Sequence, residues 1–208
     1  MPRIVSRPMS ADTKKLALHS GSLLVFNWHG YGWADLPGFE GAPVSMDLLV
    51  NLYSKRLAEL ADRVRDVDAE VRVALPPEQH IIKDWVRNNF SEYWVSEVTA
   101  AMAHQPPGCL IAIVEGKLVG FACYDATARG FFGPTGVAED QRGKKIGLAL
   151  LSHTLQAMKT HGYAYAIIGS VGPQEFYANA VGAISIEADK EDIYQGMLRI
   201  KPAVQSGK

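Results

Sequence analysis

The stretch VAEDQRGKKIGLALL, residues 137–151, decides how this chain is read. A polar loop containing Gly143 passes straight into an apolar helical pattern. Leu148, Leu151, Leu155 and Met158 recur at helical spacing, which predicts an amphipathic helix over 146–161 ending near Gly162. Upstream, FFGPTGV (131–137) reads as a central strand, and its Pro and two Gly point to a bulge or a splayed edge where a ligand approaches. The unit is therefore strand, loop, helix. The first N–H groups of a helix lack partners and carry partial positive charge, so phosphates dock there. Gly143 permits close backbone approach, Gly147 leaves room over the first turn, and Arg142, Lys144 and Lys145 add charge. Taken alone, these residues suit either an anion cradle or a solvated, lysine-rich helix start.

Two phosphate motifs are excluded. A nucleoside-triphosphate loop needs GxxxxGK[ST], but Ala138 stands where the first Gly belongs and Lys145 where the Ser/Thr belongs. The dinucleotide pattern GxGxxG is absent as well.

Around this unit the pattern is regular. VRVAL (71–75) alternates as a strand, Pro76-Pro77 start a helix reaching about Phe90, and a second helix runs from about Glu92 to His104 with Trp94, Val95, Val98 and Met102 on one side. CLIAIV (109–114), a turn at Glu115-Gly116-Lys117 and LVGFACYD (118–125) form a hairpin. YAYAIIG (163–169) is a buried strand, EFYANAVGA a short helix closed by Gly182, and 184–188 and 193–200 are closing strands. N-terminal to all this, Leu23–Trp28 suggests a strand, and residues 46–66 read as an amphipathic helix capped by Ser45. The expected organisation is an N-terminal extension over 1–70, a core over 71–202 and a frayed tail over 203–208.

The order of strand, Q/R-x-x-G-x-G/A loop, helix, strand and Tyr-containing helix closed by Gly resembles the GNAT superfamily of acyl-CoA-dependent N-acetyltransferases. The resemblance runs from about 71 to 200 and is carried by VAEDQRGKKIGLALL (137–151) and GPQEFYANAVGAISI (172–186). It implies an α/β (α+β) fold, a mixed and mainly antiparallel central sheet flanked by helices, here with an N-terminal β-α extension. It also implies acetyl-CoA as cosubstrate, lying in a gap between splayed central strands. The thioester carbonyl then meets a backbone N–H at Gly136-Val137, and Arg142, Gly143, Lys144, Lys145, Ile146 and Gly147 form the pyrophosphate cradle. Tyr177 matches the family's proton donor to the departing thiolate. Lys145 departs from the pattern, because the family usually has a glycine there. A helical φ at Lys145 keeps the cradle intact, since any residue except Pro donates its backbone N–H. Its side chain either reaches a CoA phosphate as a point charge or points to solvent. No general base is named: strand 131–137 has no carboxylate, Asp125, Glu139 and Glu175 read as surface acids, and a water chain is an alternative.

Composition bounds the partners. At 48% hydrophobic and 21% charged the chain can bury a core. A net charge of −1 argues for a small-molecule amine, or a peptide terminus, over nucleic acid. The six histidines form no ligand pattern, so no metal site is expected, and Cys109 and Cys123 read as buried free thiols of a reducing cytoplasm. No apolar run approaches spanning length and the N-terminus has no secretory h-region, so no membrane association is expected. FNWHGYGW (26–33), with His29, suits an extra strand, a homodimer contact or a substrate lid, the first two preferred. The expected activity is acetyl transfer from acetyl-CoA to an amine. The competing expectation is a non-catalytic CoA-binding or interaction module on the same fold.

Overall fold

The computed structural model describes residues 47–169, 171, 174–186 and 193–198. The predicted strand Leu23–Trp28, the 26–33 stretch with His29, and Ser45 lie outside the described residues. The elements run β1 (Asp47–Asn51), α1 (Lys55–Arg63), β2 (Glu70–Val73), α2 (Gln79–Asn89), α3 (Glu92–Met102), β3 (Cys109–Val114), β4 (Lys117–Tyr124), β5 (Phe131–Val137), α4 (Ile146–Thr160), β6 (Tyr165–Ile168), α5 (Gln174–Val181) and β7 (Ile184–Ile186). The strands form one sheet in the order β2-β3-β4-β5-β6-β1-β7. Every neighbouring pair is antiparallel except β5 and β6, which are parallel. This is the expected mixed, mainly antiparallel sheet flanked by helices.

The central strands are buried on both faces, which is why β3 reads as the unbroken apolar run CLIAIV. One face of the sheet packs Cys109, Ile111, Phe121 and Cys123 against Ile82 and Val86 of α2 and Val95, Val98 and Met102 of α3. The other packs Leu110, Ala112 and Ala122 with Leu57 and Leu60 of α1 and with Leu150, Leu151, Leu155 and Met158 of α4. Fully burying a Leu or Ile contributes about 1.5–3 kcal/mol, so these two layers supply the main favourable term. Cys109 and Cys123 are buried free thiols, directly paired across β3 and β4.

Three sequence expectations are corrected. Residues 46–66 are not one helix. Asp47–Asn51 is a strand that buries Leu48 and Val50 between β6 and β7, and the helix begins only at Lys55. Leu48, Leu49 and Leu52 satisfy a helical spacing, but two open strand edges gain a full ladder of hydrogen bonds from β1, and tertiary pairing wins. β1 and α1 thus precede residue 71, yet β1 sits inside the sheet and α1 packs on its face. Residues 193–198 are not a strand: the described part is a turn, in which Met197 N–H donates to Tyr194 O at 3.1 Å and Gly196 takes φ 74°. The β3–β4 turn is one residue shorter than expected. Glu115 (φ 49°) and Gly116 (φ 72°) form a two-residue turn with positive φ at both positions, and Lys117 already pairs with Val114.

Candidate active site

The expected splay is present and its cause is local. β5 pairs with β6 only at Phe131↔Ile167 and Phe132↔Ile168. β6 ends at Ile168, whereas β5 runs on to Val137. From Gly133 onward, β5 keeps β4 on one side and, among the described residues, has no strand on the other. Backbone parity then fixes which groups face the gap. Ala138 N–H donates to Val119 O of β4 at 2.8 Å, so Val137 and Thr135, one and three residues back, point their N–H groups away from β4. Gly136 turns its own peptide groups to β4: a Cβ on Gly120 would sit 3.0 Å from Gly136 O. Of the expected pair Gly136-Val137, Val137 is therefore the donor into the gap.

Gly136 has a different task. A Cβ there would lie 2.7 and 2.9 Å from two ring carbons of Phe90, with Cζ closer still. The ring of Phe90 rests on the strand at Gly136, where no side chain stands in its way. Trp94 lies 4.8 Å from Phe90 at 33°, while Trp85 and Phe121 surround the pair with centroids 5.7 and 5.9 Å from Phe90. Sequence reasoning did not find this wall. Its trace is the aromatic density of FSEYW at 90–94, where α2 ends and α3 begins.

The gap leads to the start of α4. The predicted helix is observed as Ile146–Thr160. No side chain caps its N-terminus, and its first turn has no acidic residue. The first intrahelical bond, Ala149 N–H to Lys145 O, leaves the preceding amides without helical acceptors. α3 is capped by Ser91 and has Glu92 in its first turn, whereas α1 and α2 share the uncapped, acid-free start of α4. Gly143 takes φ 81° with open space where a Cβ would stand. Lys145 takes φ 62°, ψ 10°, a left-handed conformation and not the expected helical one. A lysine thus occupies backbone geometry that glycine adopts freely. The Lys145 side chain is exposed, while Lys144 Nζ folds back to donate to Gln141 Oε1 at 2.8 Å. Ile146 is buried and pins the first turn to the core, and Gly147 packs on Val137.

Arg142 supplies the test of what the loop fits. Its Nε is buried and has no hydrogen-bond partner. A buried, unpartnered charged donor costs several kcal/mol unless an anion completes it. An uncapped helix start, open backbone at Gly143 and an orphaned guanidinium N–H together fit a phosphate-bearing ligand such as CoA.

Tyr177 stands where β5 and β6 part. It is 7% exposed, with its ring edge-on to Phe132, the last β5 residue paired to β6, at 6.2 Å, and to Phe176 at 4.9 Å. Burial pushes its phenol well above the usual tyrosine range, so the group stays protonated. The surface acids weighed on sequence do not converge here. Asp125 lies beyond the far end of β4, and Glu139 and Glu175 are exposed; Glu97, not among them, has its pKa raised by burial and accepts from Thr127 of the β4–β5 loop. Among the described residues no group of three metal-ligating side chains converges, and no helix is long and apolar enough to cross a membrane.

Residues 75–182 match the Acetyltransferase (GNAT) family. No curated protein matches the sequence. Among solved structures the chain is similar to the GCN5-related glucosamine N-acetyltransferase region of a fungal multi-domain GH3 β-N-acetylglucosaminidase. The identity is 16% and the TM-score 0.57, over 70% of this chain and 20% of that one. A GCN5-related N-acetyltransferase from Sphaerobacter thermophilus is 18% identical, with a TM-score of 0.49 over 69% of this chain and 49% of that one. A GNAT family N-acetyltransferase from Escherichia coli, solved in complex with CoA, is 15% identical, with a TM-score of 0.39 over 51% and 84%. The chain thus covers a fifth of the first protein and about half of the second. The first likeness is one of fold.

Proposed function

The chain belongs to the GNAT family of acetyltransferases, and we propose that it transfers an acetyl group from acetyl-CoA to the amine of a small-molecule or peptide-terminal acceptor. One observation carries this reading: the unpaired edge of β5, with Thr135 and Val137 facing the gap, leads directly to the uncapped N-terminus of α4.

Each residue then has a role that follows from its placement. The amides from Gly143 to Gly147, with Arg142, hold the pyrophosphate, and Lys144 and Lys145 add positive charge around it. Val137 N–H donates to the thioester carbonyl oxygen, where negative charge develops. Phe90 and Trp94 wall the approach of the acceptor, and an aromatic face suits an amine with apolar flanks. The neutral amine nitrogen attacks the carbonyl carbon, the C–S bond breaks, and Tyr177 Oη gives its proton to the departing sulfur. The new ammonium loses its proton to water, and water restores the proton of Tyr177. Burial keeps the phenol in the protonated form that donation requires, while its raised pKa makes the transfer to sulfur uphill.

A second reading rests on one observation, the lack of any carboxylate on β5. It is a chain that holds CoA without turnover. The two are separated by incubating the protein with acetyl-CoA and a broad panel of amines and following free thiol. Amine-dependent release that falls about 100-fold in Tyr177→Phe, with CoA affinity unchanged, supports the transferase. CoA binding without release for any amine supports the non-catalytic reading, and an unchanged kcat in Tyr177→Phe at every pH removes the acid role.

A further inference from the structure

A second polar cleft lies at the opposite end of the molecule from the anion loop. The 15 residues of α4 separate the two ends by about 22 Å. The cleft has a volume of about 440 Å³, sits where α3 and α4 end and β4 turns toward β5, and is lined by His104, Gln105, Tyr124, Asp125, Arg129 and His161. No residue of the CoA cradle lines it. The start of β5, beside the cleft, lies roughly 20 Å from Val137, at about 3.3 Å per strand residue.

The loop 125–130 forms its floor and is tied from three sides. Asp125 holds a left-handed φ of 56°, accepts Gly130 N–H at 2.6 Å on one oxygen and accepts Tyr163 Oη at 2.7 Å on the other. Arg129 Nε donates to Tyr163 Oη at 3.3 Å. Thr127 Oγ1 donates to Glu97 of α3. On the α4 side, Tyr124 Oη and His161 Nδ1 are hydrogen-bonded at 3.0 Å. A floor already held this way loses little entropy when a ligand arrives.

The class of ligand follows from which hydrogen-bonding capacity is left. Both oxygens of Asp125 are engaged, and the hydroxyl of Tyr163 both donates and accepts. Among the described residues, the terminal guanidinium nitrogens of Arg129, the Gln105 amide and the His104 ring have no partner. Gln105 and a neutral His104 each offer an acceptor as well as a donor, so the donor excess is that of the Arg129 guanidinium, which stands beside the Asp125 carboxylate and presents a planar fork that matches a carboxylate in bidentate geometry. We propose that the cleft binds a small organic carboxylate, as a second ligand site separate from the CoA cradle.

Calorimetric titration of the full chain with succinate, and separately with inorganic phosphate, each with and without saturating CoA, tests this. Saturable succinate binding is expected, independent of CoA, weakened at least about tenfold in Arg129→Gln and in Arg129→Lys, and unchanged in Arg142→Ala. Arg129 is exposed, and a matching melting temperature shows that each variant is folded. Four results overturn the proposal: no saturable binding up to about 20 mM, a regime weaker than any specific small-anion site; binding unchanged in Arg129→Gln; displacement by CoA or loss in Arg142→Ala, which places the anion at the start of α4; and phosphate binding tighter than succinate, which removes the carboxylate assignment.

Discussion

A lysine held at φ 62° costs about 1 kcal/mol relative to glycine, because its Cβ crowds the following carbonyl. The side chain of Lys145 is exposed and screened, so its charge adds little at physiological salt. Lys145→Gly is therefore expected to raise the melting temperature while CoA affinity changes less than about threefold, as thermal unfolding and equilibrium binding report. A tenfold loss of affinity would mean that the side chain itself holds a phosphate. Gly136 is the opposite case, a glycine required by contact. Gly136→Ala drives a methyl into the ring of Phe90 and is expected to cost about 1–3 kcal/mol together with most of the activity. Adding Phe90→Ala should return part of the stability, which a double-mutant cycle measures. Sequence showed that residues 142–147 offer backbone and charge to an anion. It did not show the φ of Lys145 or the ring over Gly136, because the first is set by the path from β5 into α4 and the second by packing of the α2–α3 junction on the sheet.

Elements were legible in proportion to how local their causes are. α4, β3, β4 and β5 follow from periodicity and turn residues alone, and they lie where predicted to within a few residues. β1 was hidden because DLLVN satisfies two periods at once, and only the distant partners β6 and β7 decide between them. α4 carries its own flaw. Thr154 is fully buried and its Oγ1 has no hydrogen-bond partner. Val has the same branched shape and nearly the same helix propensity without the stranded hydroxyl. Thr154→Val is expected to stabilise the fold by about 1 kcal/mol, read from denaturant midpoints at constant slope. Destabilisation would show that the hydroxyl has a partner such as ordered water.

At the scale of the whole molecule, two layers of helices cover a sheet in which the one parallel pair among the described strands, β5 and β6, separates after two residues. That separation leaves an unpaired strand edge that runs from Phe132, beside the buried phenol of Tyr177, to the uncapped N-terminus of the 15-residue α4. The family motif in the sequence announced this arrangement, while the aromatic wall and the distal cleft come from elements brought together only by folding. On the proposed function, CoA occupies the β5–β6 gap and the start of α4. Amide hydrogen exchange of the full chain with and without CoA tests it most directly. New protection is expected at Thr135, Val137 and Gly143–Leu148, abolished for the loop in Arg142→Ala. Protection confined to other segments, or none at saturating CoA, would contradict it.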